Sequence, residues 1–352
     1  MFGQRGSRWA RLAIATVAGA ALTLGAAGPA AADPPVTGTH GEVKDGSARL
    51  LINNKVYDEG QFTLTIGDKT AVAYCIDLNT GVARGGEYQE GTWDASKVKN
   101  LGKVQWILTH GYPNGDGTAL LTAAKATLPA GTDQKDVNRV LYFGTQTAIW
   151  HYSDDAVLNS YVEGKKLLAK PLYDAVEAIY KYMTAAATDQ PEPKPTLTIS
   201  PEKAKPVAVG AKAGPFTVEG PGGKIELAVE GGKAVDADGK EITSTVNGGK
   251  FWLTGTGANT VKVTATGSGS VSFGRVFLFT GGKPAQKLIL GGSVGEKVSA
   301  RAEASFQQAP AGPTLPVTGD STTLVIGVGV VLLVAGAVTM LIVRRRKVRF
   351  TV

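Results

Sequence analysis

The sequence predicts an α+β unit followed by an all-β, immunoglobulin-like sandwich, with a C-terminal transmembrane helix in the precursor. Three observations carry this. Between residues 33 and 187, short strand-like runs give way to apolar residues at helical spacing. Between 196 and 306, short β-rich runs alternate with glycine turns. Residues 324–343 form an uninterrupted apolar run closed by Arg344, Arg345, Arg346, Lys347 and Arg349.

The first 32 residues read as a signal peptide. Arg5, Arg8 and Arg11 lead an apolar run over 12–27, and Ala30-Ala31-Ala32 offers a small-x-small site, so cleavage is expected between Ala32 and Asp33. Without an adjacent arginine pair, the general secretory route is favoured. In the α+β unit, residues 48–56, 62–66 and 71–78 read as strands, the last carrying Cys75 near its middle. Val98, Leu101, Val104, Ile107 and Leu108 then mark a helix stopped by Gly111-Tyr112-Pro113-Asn114-Gly115. Further helices are expected over 136–152, carrying Gln146, and over 171–186, with Val176, Ile179, Tyr180 and Met183 on one face.

Residues 188–195 alternate proline with polar residues and predict a semi-rigid extended spacer. Strands of the sandwich are expected at 197–199, 216–218, 225–229, 251–253, 260–265, 271–279 and 287–290, with glycine-rich turns between them. Lys224, Lys262 and Asn259 permit an internal isopeptide there, as in almost any such domain. Residues 307–319 read as a tether ending in Leu315-Pro316-Val317-Thr318-Gly319, and 320–352 as the membrane helix with a basic cytoplasmic tail.

The formal charge of +7 comes from the two ends; residues 33–318 carry equal numbers of acidic and basic side chains. Nucleic-acid binding therefore has no electrostatic support. Cys75 is the only cysteine, so an exported chain of this length has no intramolecular disulfide. His40, His110 and His151 are too scattered for metal ligation, no calcium-loop pattern is present, and no cofactor is expected.

The chemistry concentrates in Tyr74-Cys75-Ile76-Asp77 and Thr145-Gln146-Thr147-Ala148-Ile149-Trp150. A cysteine sulfur can condense with a glutamine side-chain carbonyl and expel ammonia, provided that the thiol is activated, the amide is held against it and water is excluded. Tyr74, Trp150 and Tyr152 are placed along the chain to do the last. Asp77 could bond a backbone donor or orient a nucleophile. His151 adjoins the second segment, where a structural role is favoured over a proton shuttle, and Asp154-Asp155 reads as a solvated helix end. The alternatives for Cys75 and Gln146 are a buried free thiol acting as a small hydrophobe and an ordinary exposed helix glutamine.

The two segments resemble the paired signatures of the thioester-domain family of Gram-positive surface adhesins, over roughly residues 40–185. The resemblance implies a β-barrel or sandwich with a helical subdomain, and a thioester between Cys75 and Gln146, with Tyr74, Asp77, Thr145 and Trp150 in support. It also implies covalent capture of an amine, typically a lysine, on a surface protein or glycan. The C-terminal order of pentapeptide, apolar span and arginines resembles a cell-wall sorting signal. That implies sortase cleavage between Thr318 and Gly319 and attachment to peptidoglycan. The expectation is a monomeric, wall-anchored adhesin that reacts once and is not a turnover enzyme. The alternatives are a non-covalent wall protein with an inactive site, and a secreted cysteine hydrolase or transglutaminase-like enzyme using Cys75 and His151.

Overall fold

The structure is a computed structural model that describes residues 36–43, 46–308 and 336–341. The expected signal peptide, the cleavage site at Ala32 and Asp33, the 315–319 motif and most of the 324–343 span lie outside the described residues. Among those described, no helix is long and apolar enough to cross a membrane; residues 336–341 are helical.

The chain runs β1 (Thr37–Glu42), β2 (Ala48–Ile52), β3 (Lys55–Glu59), β4 (Phe62–Ile66), β5 (Lys69–Cys75) and β6 (Glu87–Gly91). Helices follow as α1 (Trp93–Ser96), α2 (Leu101–His110), α3 (Gly117–Ala123), α4 (Gln134–Asp154) and α5 (Lys170–Ala186). The second half is β7 (Thr198–Ser200), β8 (Val207–Ala208), β9 (Ala213–Glu219), β10 (Ile225–Glu230), β11 (Gly232–Val235), β12 (Ser244–Thr245), β13 (Lys250–Gly255), β14 (Thr260–Gly267), β15 (Val276–Phe279), β16 (Leu288–Leu290) and β17 (Val298–Gln307).

Where one strand was expected over 48–56, two form. Asn53 and Asn54 adopt φ of 49° and 62°, the left-handed pair that a two-residue hairpin needs, so β2 folds back on β3. Asp133 caps α4, accepting a hydrogen bond from Asp136 N at 2.7 Å. Gly144 lets α4 and α5 approach, since a Cβ there would stand 2.6 Å from Ile179.

The sheets divide the chain differently from the sequence expectation. A closed antiparallel barrel has the order β1-β4-β5-β16-β15-β6. Its last two strands come from the second half: β16 pairs with β5, Leu288 opposite Cys75, and β15 pairs with β6. Residues 271–279 and 287–290, expected in the sandwich, are therefore barrel wall. Val276, Phe277, Leu288, Ile289 and Leu290 are fully buried in the barrel-and-helix core. The remaining second half packs a five-stranded sheet, β12-β10-β14-β17-β8, on a four-stranded one, β11-β13-β9-β7. Its own core includes Phe216 stacked on Phe251 at 5.3 Å. The ten-residue β17 was not expected as a strand. Asn259 donates to Gly231 O at 2.8 Å and Lys224 pairs with Glu226 at 3.2 Å, both on the surface, so no buried lysine–asparagine pair forms from these residues.

Residues 188–195 are not a free spacer. Gln190 N bonds Gly102 O at 3.1 Å, Glu192 accepts from Trp93 N at 2.8 Å, and Lys194 N bonds Gly220 O at 2.8 Å, so the segment is stitched to both halves. Arg275 adds a buried clamp: it pairs with Glu90, and its Nη1 donates to Pro193 O at 2.7 Å. The two charged side chains are only 10% and 11% exposed. Arg275→Met strands Glu90 as a buried charge, and a loss of about 3–5 kcal/mol is expected in urea unfolding.

Candidate functional site

Cys75 ends β5 and is fully buried; Gln146 lies in the middle of α4 and is 1% exposed. They meet through the cysteine's main chain. Cys75 N donates to Gln146 Oε1 at 2.9 Å, and Gln146 Nε2 donates to Cys75 O at 2.9 Å. The carboxamide thus imitates a peptide group and takes the rung that a neighbouring strand would occupy. The rung is vacant because the β4–β5 pairing stops at Phe62 opposite Ala73. At that last pair Tyr142 Oη intervenes, accepting from Phe62 N at 3.0 Å and donating to Ala73 O at 2.9 Å.

Tyr142, Gln146, Trp150 and Asp154 are spaced four apart, so they form one stripe along α4. Each reaches the same edge of β5 or the turn beyond it: Tyr142 at Ala73, Gln146 at Cys75, Trp150 beside the Cys75 sulfur, and Asp154 accepting from Leu78 N at 2.9 Å. The stripe fixes the helix in register against the strand.

The thiol is free, and burial pushes its pKa well above the usual cysteine value. Two neighbours oppose this. Trp150 eases the thiolate most, and Asp77 N donates to Sγ at 3.3 Å; Asp154 and Glu59 act in the other direction. The Trp150 indole N–H is buried and makes no complete hydrogen bond, which leaves it in reserve for charge on the sulfur. Glu59, at the end of β3, has its own carboxyl pushed up to about 7, first by burial and then by Asp58 and Glu42.

The supporting residues expected from sequence fall as follows. Tyr74 stacks on Tyr142 at 4.7 Å and its hydroxyl donates to Tyr112 O. Thr145 Oγ1 donates to Leu141 O at 2.8 Å and accepts from Tyr112 N at 3.2 Å, fixing the loop that receives Tyr74. Asp77 lies beyond β5; its carboxylate accepts from Thr80 Oγ1 at 2.8 Å and meets Lys287 Nζ at 3.5 Å. Tyr152 faces α5, donating to Thr184 O at 2.6 Å, and does not cover the pair. His151 is also turned to α5, bonded to Tyr180 Oη at 3.2 Å and to Ala156 O at 3.3 Å. Asp154 is not a solvated helix end: burial holds its carboxyl above the usual range, and it takes Ser153 Oγ at 2.6 Å.

Sequence reasoning missed Tyr142, Asp154 and Lys287. The first two were accessible from helical spacing about Gln146; the third depends on strand pairing across 212 positions of chain. A cavity of about 330 Å³ lies behind Tyr142, lined by Gln61, Phe62, Tyr112 and Arg139 among others, but neither Cys75 nor Gln146 opens into it. Among the described residues, no group of three or more His, Cys, Asp or Glu is placed to hold a metal ion.

This geometry can do acyl chemistry. If Sγ attacks the Gln146 side-chain carbon, negative charge develops on Oε1, where the Cys75 N–H already points. One such preorganised donor is worth about 3–4 kcal/mol.

Residues 72–189 match the family model described as thioester domain, which spans both segments. That stretch, about a third of the chain, is similar to a thioester domain. Among solved structures the chain is similar to the Bacillus anthracis TIE protein, with 14% identity and a TM-score of 0.37, over 78% of this chain and 49% of that one. It thus spans about half the length of that protein. It is also similar to the thioester domain of the Enterococcus faecium TIE86 protein, with 20% identity and a TM-score of 0.36, over 78% of this chain and 98% of that one. A third likeness is to the N-terminal domain of the Streptococcus pyogenes pilus tip adhesin Cpa, with 15% identity and a TM-score of 0.26, over 55% and 82% of the two chains. No curated protein matches the chain at a significant level.

Proposed function

We propose that this thioester-domain protein is a surface adhesin that joins itself covalently to an amine. Cys75 and Gln146 first condense: the sulfur bonds to the side-chain carbon of Gln146, and the amide nitrogen leaves as ammonia with the thiol proton. An amine on a partner protein or glycan, with lysine the leading candidate, then attacks that carbon, Cys75 departs, and an isopeptide remains. The site is consumed, so the protein is a reagent and not a turnover enzyme. The observation that carries this reading is the two-point clamp of the Gln146 carboxamide on the Cys75 backbone at 2.9 Å, sealed from solvent.

Export, sortase cleavage after Thr318 and attachment to peptidoglycan complete the proposal, supported by the sequence of the two ends. The fold favours this over a cysteine hydrolase, because His151 is committed to α5. Methylamine tests it: incubation should add one methylamine at Gln146, located by peptide mass spectrometry, and release a single titratable thiol. Protein that takes up no methylamine at Gln146 under any condition leaves only a non-covalent role.

A further inference from the structure

Lys287 lies on the β15–β16 hairpin, directly before the residue paired with Cys75. Its carbonyl accepts from Ile76 N at 3.0 Å, and its ammonium stands 3.5 Å from Asp77 Oδ2. Asp77 is the residue whose N–H touches the Cys75 sulfur. The second carboxylate nearby belongs to Asp154, on the stripe that carries Gln146, and it too feels the Lys287 charge. Cys75 and Gln146 are sealed, whereas the Lys287 and Asp77 side chains are 37% and 19% exposed. The rim beside the sulfur is therefore an ion pair open to water, with a lysine of the chain itself in it.

An acceptor lysine arrives as an ammonium, and carboxylates beside the reactive bond are where a cation is drawn before it sheds its proton. That position is taken. We propose that Lys287 is an internal competitor, its ammonium holding the place beside Asp77 that an incoming lysine ammonium must occupy on its way to Gln146. This rests on the thioester reading and adds to it a brake on the reaction and a preference for cationic acceptors. In the step itself the deprotonated acceptor nitrogen bonds to the Gln146 carbon. The carbon–sulfur bond breaks, and Cys75 takes the electron pair and the proton the amine releases. Lys287 forms no bond; as a paired ammonium it has no lone pair to attack with.

The test uses the chain from 33 to 318 with Lys287→Gln and Lys287→Arg, each first checked for the ammonia deficit and a blocked thiol. Two acceptors are compared: Nα-acetyl-lysine amide, cationic at neutral pH, and hydroxylamine, neutral there. With the lysine acceptor, Lys287→Gln should react about tenfold faster at low salt, the gain shrinking near about 1 M salt. Lys287→Arg should keep the wild-type rate, and hydroxylamine should attack all three chains alike. An unchanged or slower Lys287→Gln overturns the proposal. So does an equal gain with hydroxylamine, which marks a loosened hairpin, or loss of the deficit in Lys287→Gln, which marks a structural role. Absence of the deficit in wild type is a separate result, which removes the thioester reading and this inference with it.

Discussion

Purified protein covering residues 33–318 is expected to weigh about 17 Da less than its sequence, the mass of one ammonia, with no thiol open to titration. Cys75→Ala and Gln146→Ala should each restore the full mass. The two variants matter because a lysine–asparagine bond elsewhere would give the same deficit and survive both. The physical case begins with an obstacle: burial raises the Cys75 pKa, so the free thiolate is scarce. What offsets it is placement. An oriented pair can recover up to about 7–11 kcal/mol of barrier. The Gln146 amide is held at both ends by the residue whose sulfur must attack it, and the Cys75 N–H waits at the oxygen where charge appears. Burial then serves the product, since both partners are sealed from the water that would hydrolyse it. Full-mass wild type with a freely titratable thiol would end the proposal.

A chain truncated at residue 195 should fail to fold, whereas one ending at residue 308 should fold and carry the deficit. The sequence divides the protein after residue 187, which would leave an autonomous first half. The barrel, however, closes only with β15 and β16, and without them β5 and β6 each lose one of their two partners and the site loses the strand lying against Cys75. Five side chains, Val276, Phe277, Leu288, Ile289 and Leu290, leave the core as well, each worth about 1.5–3 kcal/mol buried. That sum is as large as the whole usual stability of a domain. Circular dichroism melts and intact mass decide it: a cooperative melt with the mass deficit in the short chain would show that the hairpin is dispensable.

The pairing of Cys75 with Gln146 was legible because it rests on short local signals: a lone cysteine in an apolar strand, and a glutamine in a helix whose neighbours resemble a family pattern. Tyr142 and Asp154 were within reach, since only helical spacing separates them from Gln146. The exchange of β15 and β16 was not legible. Val276-Phe277-Leu278-Phe279 reads as a strand whichever sheet it joins, and pairing with Glu87–Gly91 is decided nearly two hundred positions away. β17 escaped for a different reason. Its alanines and its glutamate have weak β propensity, and only the alternate burial of Ala302, Ala304 and Phe306 gives it a sheet face. The Asn53-Asn54 turn hid inside an apolar run because asparagine enters left-handed backbone without glycine.

The way β17 leaves the molecule has a mechanical consequence. Tension applied at residue 308 enters β17 lengthwise, so its ladder with β14, from Thr260–Ser305 to Gly267–Val298, is loaded in shear, with many hydrogen bonds resisting together. The far end of β17, at Val298, is joined by a few residues to β16, which lies against the strand of Cys75. A pull on the tail is thus borne first by the β14–β17 ladder and reaches the strand beside Cys75 only through it, so the buried pair is shielded from drag.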